Sequence, residues 1–245
     1  DPWWDARLTP GERQRLFSLI DVRVVTRKPA AYLLNKTYLQ GIPFYVDERV
    51  IVPRSFIAEI LCDDACFSPV VEAENITRVL DLCTGSGCLA ILAAYLFPQA
   101  QVDAVDLSHD ALEVARRNVA DHGLEDRVQL FAGDLFAPLA GQRYDLIISN
   151  PPYVDEGEMA ALPPEYAHEP AMALAGGDDG LDLVRRILDQ APAHLTAEGG
   201  LICEIGTGRE RLKASRPDLP FMWLDTAESN GEVFWLARAD MPEKP

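Results

Sequence analysis

From residue 77 onward, short apolar runs alternate with helical stretches, and that alternation leaves few folds open. Residues 78–83, 102–107, 128–132, 144–149 and 200–205 each read as a strand rich in Val, Leu and Ile. Residues 88–96 form an apolar helix after the tight turn Thr84-Gly85-Ser86-Gly87. Ser108 caps a second helix, which carries Leu112, Ala115 and Val119 on its apolar face and stops at Gly123. Residues 181–188 give a third helix, and the turn Gly199-Gly200 precedes the fifth strand. Residues 221–224 and 233–237 add two closing strands around Ser229-Asn230-Gly231. The pattern predicts a doubly wound α/β fold: one seven-stranded, mainly parallel sheet with right-handed crossovers and helices on both faces.

Ahead of this rhythm lies a smaller unit. Thr9-Pro10-Gly11-Glu12 is a helix start, with Thr9 as N-cap, Pro10 at the first helical position and Glu12 closing a capping box. The helix carries Leu16, Phe17, Leu19, Ile20 and Val24 at helical spacing and ends at Lys28-Pro29. Residues 38–52 alternate like a β-hairpin, with Gly41-Ile42-Pro43 or Asp47-Glu48 at the bends. Residues 52–55 then lead into a helix with Phe56, Ile57, Ile60 and Leu61. Residues 1–53 are too few to bury a core alone, so they read as a lid or the remnant of a larger N-terminal region beside a domain spanning 54–245.

Several function classes drop out on composition. No apolar run approaches the roughly 20 residues that cross a bilayer, and the start DPWWDARLTPGER has neither a basic leader nor an apolar core, so a soluble, cytoplasmic protein is expected. The cysteines, Cys62, Cys66, Cys83, Cys88 and Cys203, form no CxxC pair and read as reduced thiols. His109, His122, His168 and His194 show no ligand spacing, so no metal is expected. The net charge is −17 and uneven. Residues 1–54 carry nine Lys/Arg against six Asp/Glu, whereas 55–245 carry 13 against 33. Between Tyr144 and Val184 there are nine acidic residues and no Lys or Arg. Such a face disfavours a phosphate backbone and suits a basic partner, although acidic surfaces also serve solubility.

Sheets of this class bind ligands beyond the carboxyl ends of their strands, and the polar residues that stand out fall at such ends. Thr84–Gly87 follow strand one, where glycines let the backbone approach a ligand and leave helix N–H groups for a carboxylate. Asp106 ends strand two, 19 residues after Gly87, where an acid can accept both hydroxyls of an adenosine ribose. Asp134 ends strand three and can reach an adenine amino group, with Leu135 or Phe136 against the ring. Ordinary helix capping is the alternative role for both acids. A nicotinamide enzyme also uses this sheet, but DLCTGSG is not GxGxxG, because Cys83 holds the first glycine position.

Strand four delivers Asn150-Pro151-Pro152-Tyr153. The prolines fix φ and restrict the residue before them, so Asn150 sits in a stiff extended turn. Its Oδ1 and a proline carbonyl can both accept from one planar NH2 group, and the Tyr153 ring can cover that group's face. A strand-terminating loop with a packed tyrosine is the plainer alternative.

DLCTGSG, VDLS, GDLF and NPPY, in this order and spacing, resemble a class I S-adenosylmethionine-dependent methyltransferase. More narrowly, FYVDERVIVPRS, DLCTGSGC, NPPYVD and EYAHEPAMALAGGDDGLDLVRRIL resemble the protein-glutamine methyltransferases, in the branch acting on large-subunit ribosomal protein L-three. The resemblance covers roughly residues 30–240. It implies the Rossmann-like class I methyltransferase fold and S-adenosylmethionine as methyl donor. On this resemblance Thr84, Gly85, Ser86 and Gly87 hold the methionine end, Asp106 the ribose and Asp134 the adenine, with Asp81, Cys83, Leu107, Leu135 and Asn150 on the same side. Asn150, Pro151, Pro152 and Tyr153 hold the glutamine amide. The implied partner is a basic ribosomal protein, free or in a ribosome assembly intermediate, with neither a membrane nor a specific nucleic-acid sequence involved.

The sister branch, which modifies peptide-release factors, usually has a glycine where Cys83 stands and a PRPDTE-like segment where this chain has Pro53-Arg54-Ser55-Phe56-Ile57-Ala58-Glu59. Phe56 departs from the expected proline. Amino-methylation of a nucleic-acid base and a catalytically inactive assembly scaffold remain the other readings. Arg54, Phe44, Tyr45, Glu165, Tyr166, His168 and Glu169 stand as substrate-side candidates, with packing as the equal alternative.

Overall fold

The computed structural model describes residues 6–63, 73–226 and 229–242, so DPWWD and Cys66 lie outside the described residues. The large sheet has seven strands: β3 (Arg78–Leu82), β4 (Gln101–Asp106), β5 (Val128–Ala132), β6 (Tyr144–Ser149), β7 (Leu195–Glu204), β8 (Met222–Leu224) and β9 (Val233–Ala237). Their order is β5-β4-β3-β6-β7-β9-β8. Every pair is parallel except the two that β9 makes, with β7 and with β8. The strand order reverses between β3 and β6, which places the topological switch point, where such sheets open a crevice, between Cys83 and Asn150.

The central strands are apolar on both faces because helices cover both. Val79, Val102, Leu146 and Ile148 pack with α3 (Phe56–Cys62) and α4 (Cys88–Leu96). The intervening Leu80, Leu82, Val105 and Ile147 face the other way, into α7 (Asp182–His194). This alternation with period two sorts one strand's residues into two cores. Helix α5 (His109–Asp121) is capped by Ser108, whose Oγ accepts from Ala111 N–H, as read from the sequence. Helix α7 runs past the expected residue 188, through Pro192, to His194. Strand β7 starts earlier than expected, and its pairing with β6 shifts register between Tyr144 and Leu146. No described helix is long and apolar enough to cross a membrane.

One expectation for the N-terminal unit needs correction. The hairpin is short: β1 (Thr37–Leu39) pairs with β2 (Ile42–Phe44) around Gln40-Gly41, both at positive φ. Beyond Phe44 the backbone finds other partners. Tyr45 N–H donates to Asn118 Oδ1 at 2.7 Å, Asn118 Nδ2 donates to Tyr45 O, and Asn35 Nδ2 donates to Val46 O. Tyr32, on α2 (Ala30–Leu34), donates its hydroxyl to Val50 O. These side chains satisfy the peptide groups that a cross-strand partner would have taken. Helix α1 spans Pro10–Thr26. Its capping box forms as read, yet none of its residues is buried, and Leu16, Phe17, Ile20 and Val24 stand exposed.

Candidate active site

At the end of β3 the chain turns at Cys83, which adopts φ +59, and Gly85 follows at φ +57. Asp81, 1 % exposed, lies beneath this turn. Its Oδ2 accepts from Thr84 Oγ1 at 2.6 Å and from Ala90 N–H at 3.1 Å, so it braces the loop against α4. Burial raises its carboxyl to about 7. Asp106 ends β4 and accepts from Gly85 N–H through Oδ2 and from Ser108 N–H through Oδ1, both at 2.8 Å. Desolvation raises its pKa, and these backbone donors oppose the rise.

A first cavity opens beside these residues. Cys83, Gly85, Asp106, Leu107, Asp134, Leu135, Asn150 and Pro152 line it. Asp81, Thr84, Ser86 and Gly87, expected at the same ligand, lie behind that wall. Thr84 is committed to Asp81, the Ser86 carbonyl accepts from Asn118 Nδ2 at 2.8 Å, and Gly87 packs against Ala115. Asp134 lines the cavity, but its Oδ2 is paired with Arg186 at 2.6 Å. Sequence reasoning missed other lining residues, among them Val50, Ile51, Pro170 and Met172. Val50 and Ile51 fall in the stretch whose alternation suggested a hairpin, and Met172 sits in a single 3-10 turn (Ala171–Ala173), so neither pattern marks a ligand wall.

The cavity suits an adenosyl group on three counts. A Cβ built on Gly85 meets nothing within 4 Å, so the loop leaves space for a ligand to approach its backbone. Asp106 offers a half-buried carboxylate in the wall. Val105, Leu107 and Leu135 supply apolar surface.

Asn150 follows β6, whose last residue, Ser149, is fully buried and donates from Oγ to Leu82 O at 3.0 Å. Asn150 Nδ2 donates to the Arg54 carbonyl at a long 3.5 Å, which leaves Oδ1 as a free acceptor. Asn150, Pro152, Ile51 and Ala173 line both the first cavity and a second one of about 370 Å³. The second is walled by Arg54, Pro151, Tyr153, Glu158, Leu162 and Tyr166. Asn150 therefore stands in the partition between two clefts.

Tyr153 is held from several sides. Its hydroxyl donates to Glu204 Oε1 at 3.1 Å, and its ring lies where a Cβ on Gly206 would approach Cε2 to 2.7 Å. Of the substrate-side candidates, only Arg54 and Tyr166 reach the second cavity. Arg54 pairs with Glu169 at 2.7 Å and lies over the Tyr166 ring. Glu165 instead pairs with Arg23 and Arg27 of the N-terminal segment, and His168 Nε2 bonds Thr26 O. Phe44 is core, and Tyr45 packs under Arg117.

The family model described as "Methyltransferase small domain" matches residues 65–164. Among curated relatives, the ribosomal protein uL3 glutamine methyltransferase of Bradyrhizobium diazoefficiens is 63% identical over 243 residues, 96% of this chain and 76% of that protein. The protein of the same name from Bordetella pertussis is 57% identical over 98% of this chain and 80% of its own length. That from Neisseria gonorrhoeae is 51% identical over 98% and 80%. Among solved structures, a methyltransferase from Pyrococcus furiosus matches with a TM-score of 0.59 at 16% identity, over 91% of this chain and 97% of that one. The hMettl16 catalytic domain, solved with an RNA hairpin, matches with a TM-score of 0.56 at 14% identity, over 94% and 81%. These two likenesses concern the fold alone.

Proposed function

This chain belongs to the ribosomal protein uL3 glutamine methyltransferases, and on that premise we propose that it methylates the side-chain amide nitrogen of a glutamine in uL3. The observation that carries this reading is the partition: Asn150 and Pro152 face both the cleft with Asp106 and Gly85 and the cleft with Tyr153 and Arg54. S-adenosylmethionine, when bound, supplies an electrophilic methyl group. Asp106 and the Gly85 turn hold it by the ribose and the methionine end.

An amide nitrogen is a poor nucleophile, because its lone pair is delocalised into the carbonyl. Asn150 Oδ1 and the Pro151 carbonyl accept from the two amide hydrogens, which raises electron density on nitrogen and aims it through the partition. The Tyr153 ring closes one face of the amide. Catalysis then rests on orientation and on fixed dipoles rather than on a strong base. The proton leaves to water after methyl transfer.

Glu158 lines the second cleft, with Asp155 and Glu156 near it in the chain; Arg54, the one cation in that lining, is paired with Glu169, and the 41 residues from Tyr144 to Val184 hold no Lys or Arg. That acidity favours a basic ribosomal protein in the cytoplasm, free or in an assembly intermediate, over the base-methylation reading.

The test uses purified uL3, a Gly-Gly-Gln release-factor peptide and an RNA hairpin, with transfer read by mass spectrometry. Methylation is expected on a uL3 glutamine alone. Asn150→Ala is expected to lower transfer by about 100-fold or more, with cofactor affinity within about threefold of wild type. Equal activity in variant and wild type overturns the reading.

A further inference from the structure

Strand β7 is apolar along Leu201, Ile202 and Cys203, and then it places a carboxylate, Glu204, that is 1 % exposed. The partners of this carboxylate are three neutral donors. Oε1 accepts from Tyr153 OH at 3.1 Å. Oε2 accepts from Ser55 Oγ at 2.8 Å and from Phe56 N–H at 3.0 Å. Burying a carboxylate against neutral donors costs stability that a well-packed apolar residue would not. The three donors come from the two segments that build the amide-binding cleft. Tyr153 belongs to the NPPY turn. Ser55 and Phe56 directly follow Arg54, whose carbonyl accepts from Asn150 Nδ2. The side chain of Arg54 is held separately by Glu169, also buried.

We propose that Glu204 is a positioning residue for methyl transfer: it locks Tyr153 and residues 54–56 together, and so sets which face of the Asn150 amide meets the substrate. The role rests on the functional reading above. Asn150 presents an acceptor to the glutamine only while its Nδ2 is engaged by Arg54 O. If residues 54–56 drift, the amide is free to turn, and half of its orientations offer a donor to a donor. Glu204 acts at a distance, through main chain, and touches neither substrate nor methyl group. Its effect therefore falls on turnover more than on binding.

Chemistry predicts an ordering among replacements. Glutamine keeps one carbonyl oxygen for Ser55 and Phe56, and its NH2 donates to the Tyr153 hydroxyl, which rotates to accept. Alanine removes all three bonds. Aspartate is one methylene short and reaches one segment but not both.

The experiment is steady-state methylation of purified uL3 with S-adenosylmethionine by wild type, Glu204→Ala, Glu204→Asp and Glu204→Gln. It is accompanied by cofactor titration and by crystal structures of the alanine and glutamine variants. The expected result is a fall in kcat of about 10- to 100-fold for alanine and aspartate, with KM and cofactor affinity within about threefold and glutamine restoring most of the rate. Glu204→Ala within twofold of wild-type kcat overturns the proposal, as does a loss confined to KM or a glutamine variant no better than alanine.

Two further readouts cover the remaining outcomes. If alanine does not fold, Tyr153→Phe and Glu204→Asp are combined: coupled, non-additive losses support the tether, and additive losses overturn it. If wild type transfers nothing to uL3, the functional reading falls, and the structures still decide the positioning. Residues 54–56 displaced and Asn150 released from Arg54 O in Glu204→Ala support it, and an unchanged Asn150 overturns it.

Discussion

Asp134 lines the cofactor-side cleft while its carboxylate is tied to Arg186 on α7, both about half exposed. An exposed ion pair of this kind contributes about 0–1 kcal/mol. If Asp134 must leave Arg186 to reach the adenine amino group, the pair is a small competitor to binding. Arg186→Ala is then expected to tighten S-adenosylmethionine binding by about two- to fivefold, read by calorimetry; weaker binding would show that Asp134 does not change partners. Glu204 gives a second prediction. Burial raises its folded-state carboxyl from the ordinary value of 4.5 to about 7, opposed by its hydrogen bonds to Ser55, Tyr153 and Phe56, with Glu232 adding to the rise. Between those two values the folded protein binds more protons than the unfolded chain, so stability falls as pH rises through that window and levels off above it. Glu204→Gln removes this loss. The thermal midpoint of the variant relative to wild type should increase from pH 5 to pH 8, by an amount equivalent to about 1–3 kcal/mol. A constant difference across that range would contradict the assignment. Asp81, raised in the same sense, is unchanged in this comparison and cancels.

At the scale of elements, the C-terminal strand ends carry the site and α1 carries none of the core. Helix α1 is joined to the rest by Arg23 and Arg27 on Glu165 and by Thr26 O on His168, contacts at its last turn. Deleting residues 1–27 should lower the thermal midpoint by only a few degrees, since ion pairs this exposed are worth about 0–1 kcal/mol each. The KM for uL3 should rise severalfold, because the segment bearing Glu165 also carries Tyr166 into the second cavity. A collapse of the midpoint would mean that α1 holds the fold. The sequence made the start of α1 legible, because a capping box is a local arrangement of Thr9 and Glu12. The fate of its apolar residues was not legible, because periodicity says which residues share a face and not what lies opposite. The hairpin failed for the same reason. Alternation continued past Phe44, but the partner of Tyr45 turned out to be the side chain of Asn118, 73 residues away.

For the whole molecule, the charge of −17 gathers in the part that holds the clefts. Attraction of a basic partner to such a surface is screened beyond a Debye length of about 8–10 Å at physiological salt. Binding of uL3 should therefore weaken by about tenfold or more between 50 and 500 mM salt, mainly through the association rate. Cofactor affinity should move less than about twofold, because its contacts are short and partly buried. Equal salt dependence for both ligands would remove the steering argument. Seven strands, the mainly parallel sense of the sheet and the rim that carries Asp106 and Asn150 were readable from sequence, because each depends on short-range periodicity and on a chirality rule that holds for every such sheet, whereas the two antiparallel pairings of β9 were not. Only the folded chain decided that Thr84, Ser86 and Gly87 stand behind the cavity wall, that Asp134 is shared with Arg186, and that Glu204 joins Tyr153 to Ser55. Apart from Thr84, held by Asp81 three residues before it, those outcomes are contests between partners far apart in the chain, and they are settled by which donor and acceptor the packing leaves within about 3 Å of each other.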